Sequence, residues 1–252
     1  MRILFTLCGR AGSKGIKNKN IRDFCGKPLP YYSIAAISLY INRYGKEIQY
    51  DVVVNTDSEE LINIVENNPF IKIDVIRRTV DLAGDTIGKK DVILDCINKM
   101  EERKGYNYDV VVDLDLTSPL RSVKDVNNLI LKHFETSADI TYSVTSARRN
   151  PYFNQVKRGE KGVEVVLPNN FTCRQQAPDV YDMNASLYAY NPSFLKKGGG
   201  FRGGYYEVIE MYDTAVLDLD KEEDFELMEV VGEYLFSNRE EFGEIFRNIK
   251  ME

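Results

Sequence analysis

The regular alternation of short β-branched runs with amphipathic stretches constrains the fold of this 252-residue chain more than any other feature. "RILFTLC" (2–8), "IQYDVVVNTD" (48–57), "IKIDVIRR" (71–78), "YDVVVDLDL" (108–116) and "DITYSVTSA" (139–147) read as strands. Between them lie helical patterns. "SEELINIVENN" opens on Ser58 as an N-cap, with glutamates in its first turn. Ile93, Cys96, Ile97 and Met100 mark a helix ending near Gly105, and "SVKDVNNLILKHFE" follows a "TSPLR" turn. Strand and helix in steady alternation imply an α/β fold, a mainly parallel central sheet with helices on both faces. In such sheets ligands collect at the carboxyl ends of the strands.

The alternation lapses between about 147 and 182, where prolines and turn residues surround one strand-like run, "VEVVL". This stretch reads as a lid, a β-hairpin arm or a dimerisation element inserted into a single domain spanning 1–252. The sheet resumes with "SLYAYNP" (186–192). The glycine-rich "GGGFRGG" (198–204) reads as a linker rather than a ligand cradle. "TAVLDLD" (214–220) is a last strand, followed by "KEEDFELMEVVGEYLF" and a short terminal helix.

Charge and cysteine usage narrow the function. A net charge of −6 argues against a general nucleic-acid or membrane-surface binder. No stretch approaches membrane-spanning length, and the first residues are too short an apolar run for a signal peptide. Cys8, Cys25, Cys96 and Cys173 are scattered without a CxxC pair, so reduced thiols in a cytoplasmic protein are expected, with Cys8 and Cys25 as small buried apolar groups. The one histidine, His133, falls in register with Val126, Leu129, Ile130 and Phe134, at the edge of a packed helix face. Without a GxSxG elbow or a free histidine, triad hydrolysis drops out.

Against that acidic background, "LCGRAGSKGIKNKN" (7–20) concentrates Arg10, Lys14, Lys17 and Lys19 among three glycines, directly behind the first strand. The spacing Gly9-x-x-Gly12-x-x-Gly15 matches neither a dinucleotide fingerprint nor a P-loop. A solvated loop fits the composition equally well, but the position at the binding edge tilts the reading toward phosphate. Two aspartate pairs occupy strand ends. In "LDLD", period two puts Asp218 and Asp220 on one face, roughly 7 Å apart; opposite a triphosphate such a pair suits Mg²⁺, a hard cation that takes carboxylate and phosphate oxygens. Asp113 and Asp115 repeat the pattern.

The segment "RAGSKGIKNKNIRDFCGKPLPYYSI" resembles the opening of the nonulosonic (sialic) acid cytidylyltransferases. The likeness continues in order through "NTDSEEL", "RRTVDLAGDT", "TSPLR", "NPYF", "RQQAP", "YDMNASLYAY" and "LDLDKEEDFEL". The resemblance implies a Rossmann-like nucleotidyltransferase fold and a homodimer. The activity it implies couples CTP to a nine-carbon 2-keto sugar acid and releases pyrophosphate. By the same resemblance Arg10 and Lys19 hold the triphosphate, and Leu7, Gly9, Ser13, Lys14 and Asn20 add contacts to the nucleotide. Arg78, Thr86 and Ile87 lie at the cytosine end, and Asp218 and Asp220 bind Mg²⁺, with Arg10, Lys19 and Asp220 as the catalytic set. Tyr152, Phe153, Arg174, Gln175 and Tyr188 fall to the sugar acid, Arg174 and Gln175 from an arm that reaches a neighbouring site; Asp115 reads as a contact to a sugar hydroxyl or N-acyl N–H, or as a structural residue. Gly88 and Lys89 replace a serine pair of the family pattern, and Asp115–Leu116 replaces glutamine–proline. The motifs sit nearer the legionaminic acid branch than the N-acetylneuraminic acid branch. A nucleotide-sugar glycosyltransferase with an Asp-x-Asp metal site and a non-catalytic nucleotide-binding protein remain as alternatives.

Overall fold

A computed structural model of the chain describes residues 1–12, 15–84, 87–213, 219 and 221–249, with Arg174 described by its backbone alone. The strands are β1 (Arg2–Cys8), β2 (Asp23–Phe24), β3 (Lys27–Pro28), β4 (Gln49–Thr56), β5 (Asp74–Arg77), β6 (Val110–Leu114), β7 (Ile140–Ser146), β8 (Val156–Gly159), β9 (Gly162–Val165), β10 (Tyr181–Tyr190) and β11 (Tyr206–Glu210). The helices are α1 (Leu29–Tyr44), α2 (Glu59–Glu66), α3 (Lys89–Lys104), α4 (Val123–Thr136), α5 (Pro192–Lys196), α6 (Glu222–Asn238) and α7 (Glu240–Asn248). Seven strands form the main sheet in the order β11-β7-β10-β6-β1-β4-β5, and only β10 runs antiparallel to its neighbours.

Alternation along the central strands explains the layering. Ile3, Phe5 and Leu7 of β1, Val52 and Val54 of β4, and Val110, Val112 and Leu114 of β6 face a large apolar cluster shared with α1, α2, α4, α6 and α7. Leu4, Val53 and Val111 point the other way, onto a smaller cluster under α3 and α5. Side chains of period two on a strand serve two faces, so each run had to be apolar throughout. Local signals set the helix ends: Ser58 Oγ accepts from Leu61 N at 3.2 Å, Ser122 closes a capping box with Asp125, and Gly105 ends α3 at φ +75°. No helix among the described residues is long and apolar enough to cross a membrane.

Several expectations need correction. α1 and β11 were not anticipated: α1 is buried on nearly every side between Leu29 and Ser38, so it carries no amphipathic stripe to read. β10 begins at Tyr181, five residues before the expected start at 186, because a register shift between Met183 and Tyr188, with Ala185 at φ +52°, lets one strand run from the 147–182 excursion into the sheet. Within that excursion β8 and β9 form a separate hairpin, one of the forms expected there. Cys8 and Cys25 are partly rather than fully buried. His133 is buried as expected, its Nδ1 3.1 Å from Thr141 Oγ1, and burial pushes its pKa down to about 4. The "LDLD" segment lies outside the described residues except for Leu219.

The C-terminal helices are stapled to the start of the chain. Arg22 Nη1 pairs with Glu222 at 2.5 Å, and Glu229 accepts from Cys25 N at 2.7 Å. Lys27 Nζ donates to the Phe246 and Ile249 carbonyls at 2.5 and 2.6 Å, and Arg43 pairs with Glu244.

Candidate active site

The carboxyl ends of β1, β4, β5 and β6 open into a cleft of about 440 Å³. Gly9, Arg10, Lys19, Asn20, Arg78, Ile87 and Asp115, seven of the expected site residues, line it together. Gly9 is there because nothing larger fits: a Cβ would stand 2.8 Å from both Leu116 Cδ1 and Leu61 Cδ2. The loop beyond it is tied on both sides, Ala11 N donating to Asp57 Oδ1 at 2.7 Å and Asn20 Nδ2 to the Arg10 carbonyl at 3.0 Å. Lys19 Nζ donates to the Leu219 carbonyl at 2.6 Å, so the residue between Asp218 and Asp220 in sequence is held against the basic loop. Arg78 is aimed by Asn55, which accepts from Nε at 2.8 Å and, through its carbonyl, from Nη2 at 2.9 Å. Asn55 is fully buried and receives Gly9 N as well, so one residue registers both walls.

Other expected residues lie elsewhere. Leu7 is in the core beneath the cleft. Tyr188 lines an adjoining pocket of about 250 Å³ with Tyr190, Leu195 and Phe201. Tyr152, Phe153 and Gln175 sit in the 147–182 excursion, with Tyr152 edge-on to Phe171, and do not line the cleft. Ser13, Lys14, Thr86, Asp218 and Asp220 are outside the described residues, as is the Arg174 side chain.

Sequence reasoning assigned no role to Lys89. Its ammonium reaches Asp113 at 2.7 Å and Asp115 at 2.9 Å, bridging the two carboxylates at the end of β6. Asp113, wholly buried, also accepts from Thr6 Oγ1 at 2.8 Å. Asp115 Oδ1 accepts from Thr117 N and Thr117 Oγ1 at 2.9 and 2.7 Å. Burial alone would push the Lys89 ammonium down, but the two carboxylates outweigh it and hold it well above its ordinary value. Burial likewise opposes ionisation of Asp115, and Lys89 with Thr117 overcomes it, holding the carboxyl below the usual carboxylate range. Behind them lies Arg121 of the "TSPLR" turn, 1% exposed, donating to the carbonyls of Asp115 and Ser118 and to the Ser33 and Ser186 hydroxyls. Burial pushes its pKa down to about 10, which leaves it charged at neutrality. The signal for Lys89 was present in the sequence, a lysine and an aspartate both departing from the family pattern, but nothing linear joins positions 89 and 115.

Cys8 also faces the cleft. Its thiol is held up, first by a hydrogen bond with Cys96 and then by burial, so it is a poor nucleophile. Among the described residues no group of three or more histidine, cysteine or acidic side chains could hold a metal.

This fold and basic loop, together with the family match, make the chain a nucleotidyltransferase. The chain belongs to the cytidylyltransferase family, whose model matches residues 7–242. It is 36% identical over 234 residues to a post-translational flagellin modification protein B of Campylobacter coli, covering 90% of this chain and 93% of that one. It is 33% identical over 227 residues to a CMP-N,N'-diacetyllegionaminic acid synthase of Campylobacter jejuni, with the same shares of each covered. Among solved structures, a CMP:2-keto-3-deoxy-manno-octonic acid synthetase complexed with CTP shares the fold at a TM-score of 0.65 and 14% identity, over 92% of this chain and 98% of that one.

Proposed function

We propose that this chain transfers CMP from CTP to the anomeric hydroxyl of a nine-carbon 2-keto sugar acid, releasing pyrophosphate, and that it prefers diacetyllegionaminic acid to N-acetylneuraminic acid. The observation that carries the reading is the Lys19–Leu219 contact, which holds the residue between Asp218 and Asp220 in sequence at the basic loop. In this mechanism the hydroxyl oxygen attacks the α-phosphorus, the bond to the β-phosphate bridging oxygen breaks, and the hydroxyl proton passes to solvent. Such a transfer depends on positioning and charge neutralisation more than on covalent help. Arg10 and Lys19 neutralise charge developing on the leaving pyrophosphate. Arg78, fixed by Asn55, holds the nucleoside end beside Ile87. Mg²⁺ suits Asp218 and Asp220, two hard oxygen donors that phosphate oxygens would complete. An ion held by these two residues would supply charge neutralisation at the α-phosphate and would lower the pKa of the attacking hydroxyl.

The preference for legionaminic acid is supported by the Campylobacter jejuni legionaminic synthase at 33% identity, against 24% both for an N-acylneuraminate cytidylyltransferase of Streptococcus agalactiae and for a legionaminic synthase of Legionella pneumophila. The largely apolar pocket walled by Tyr188, Tyr190, Leu195 and Phe201 agrees with it, since an acylamino group and a methyl replace hydroxyls in that sugar. A homodimer built through the 147–182 arm would cover Val156, Val163 and Leu167, all exposed, and bring Tyr152, Phe153, Arg174 and Gln175 to a neighbouring sugar site. The test is pyrophosphate release across nucleoside triphosphates and sugar acids, with and without Mg²⁺. The highest kcat/KM is expected with CTP and diacetyllegionaminic acid. A clear preference for N-acetylneuraminic acid would overturn the branch, and no release with CTP and any sugar acid would overturn the reaction.

A further inference from the structure

Lys89 sits where a lysine has no structural advantage. It is the first residue of α3, the helix end at which the macrodipole repels a cation. Its side chain is about a third exposed and lies on the wall shared by the nucleotide cleft and the aromatic pocket, with Nζ 5.5 Å from the Tyr188 ring centre. The compensation comes from Asp113 and Asp115. An ionised carboxylate has about four acceptor sites. Among the described residues Asp115 uses three of them: two on Oδ1 for Thr117 and one on Oδ2 for Lys89. One acceptor on Oδ2 is left, on a side chain that is a quarter exposed into the cleft.

We propose that Lys89 is a positioning residue for sugar-acid selection: it bridges Asp113 and Asp115 so that the remaining Asp115 acceptor is presented to a hydroxyl or amide N–H of the sugar acid at the mouth of the aromatic pocket. The proposal rests on the transfer reaction above. A substrate lacking a donor at that point leaves Asp115 desolvated and unpaired, which is how a built polar site rejects a wrong ligand. The bridging ammonium also fills the place between two carboxylates that a divalent cation would otherwise take.

Steady-state pyrophosphate release by Lys89→Gln, Lys89→Arg, Asp115→Asn and the double variant Lys89→Gln/Asp115→Asn tests this, with KM measured separately for CTP and the sugar acid. Lys89→Gln should raise KM for the sugar acid about ten-fold or more and leave KM for CTP within about two-fold. Lys89→Arg keeps the charge but not the point geometry, and should recover part of that loss. The double variant should be less impaired than the product of the two single effects, because both changes act on the one Lys89–Asp115 contact, while the loss of the Lys89–Asp113 pair is common to Lys89→Gln and the double variant. Independent, multiplying effects, or a rise confined to KM for CTP, would overturn the proposal. So would an unchanged KM for the sugar acid in a folded Asp115→Asn enzyme, which retains the Lys89–Asp113 pair and does not depend on the Lys89 variants folding. Absence of turnover by the wild-type enzyme would overturn the transfer reading and this proposal with it, an outcome distinct from turnover without a KM shift.

Discussion

The two ends of α3 carry the same device in opposite settings. At its last residue, Lys104 bridges Asp51 and Asp74, both at 2.8 Å; at its first, Lys89 bridges Asp113 and Asp115. Lys104 stands where the helix dipole welcomes a cation, and Tyr106 and Tyr108 complete Asp51 with hydrogen bonds of 2.5 and 2.8 Å. Every group there serves another group of the protein. Lys89 stands where the dipole repels it, beside a cleft, with a neighbour that keeps an acceptor in reserve. One lysine stabilises the lower edge of the sheet, and the other holds charge ready at the edge where ligand enters. Equal geometry does not imply equal purpose; the helix end and the open space decide.

The comparison predicts that changes at the upper edge alter catalysis without unfolding, and changes at the lower edge do the reverse. The largest effect should come from Lys19→Ala or Arg10→Ala, which should lower kcat/KM about a hundred- to a thousand-fold while leaving the thermal midpoint nearly unchanged. A matching drop in midpoint would show that the loop is a structural strap, and near-normal turnover would remove it from the site. Next comes pH, at a residue that belongs to neither edge. His133 is buried neutral with its pKa lowered to about 4, so the unfolded chain binds its proton first as pH falls. Stability should be unaffected above about 6.5 and fall by roughly 3 kcal/mol as pH drops toward about 4. Urea midpoints should show that slope flattened in His133→Gln; an equal slope would locate the acid sensitivity among the carboxylates. The smallest effect should be that of Lys104→Met, costing about 2 kcal/mol by leaving Asp51 and Asp74 without their cation. Its kcat/KM should match the wild type, and a selective loss of activity would break the contrast between the two ends.

Much of this was legible in the sequence, and the rest was hidden for identifiable reasons. Short apolar, β-branched runs located β1, β4 and β6, and the Ser58 and Gly105 signals set helix ends because they act within one turn. The basic loop and Arg78 were readable as a series of motifs and converge as expected. α1 was invisible because tertiary burial on nearly every side erases periodicity. The early start of β10 was masked by the irregularity around Ala185, where the alternation slips. Phe201, placed in a glycine-rich stretch read as a linker, instead packs edge-on against Tyr142 and Tyr188 and lines the aromatic pocket. The Lys89 bridge depends on two residues 26 positions apart, and only the pairing of β1 with β6 under α3 brings them together.

The staples between the start and the end of the chain bear on how the protein is made. Strands β1, β4, β5 and β6 and the helices between them are all synthesised by residue 114, so the parallel half of the sheet can begin to assemble early. The cleft cannot be finished then, because Lys19 finds its Leu219 partner 200 residues later and Arg22, Cys25 and Lys27 wait for α6 and α7. A ribosome-bound chain is therefore a sheet with an unfinished cleft until Leu219, α6 and α7 emerge. A chain that stops within α7 should keep the Lys19–Leu219 contact yet lose the Lys27 bonds to Phe246 and Ile249, so the fastening of the segment behind the basic loop is the last step of assembly.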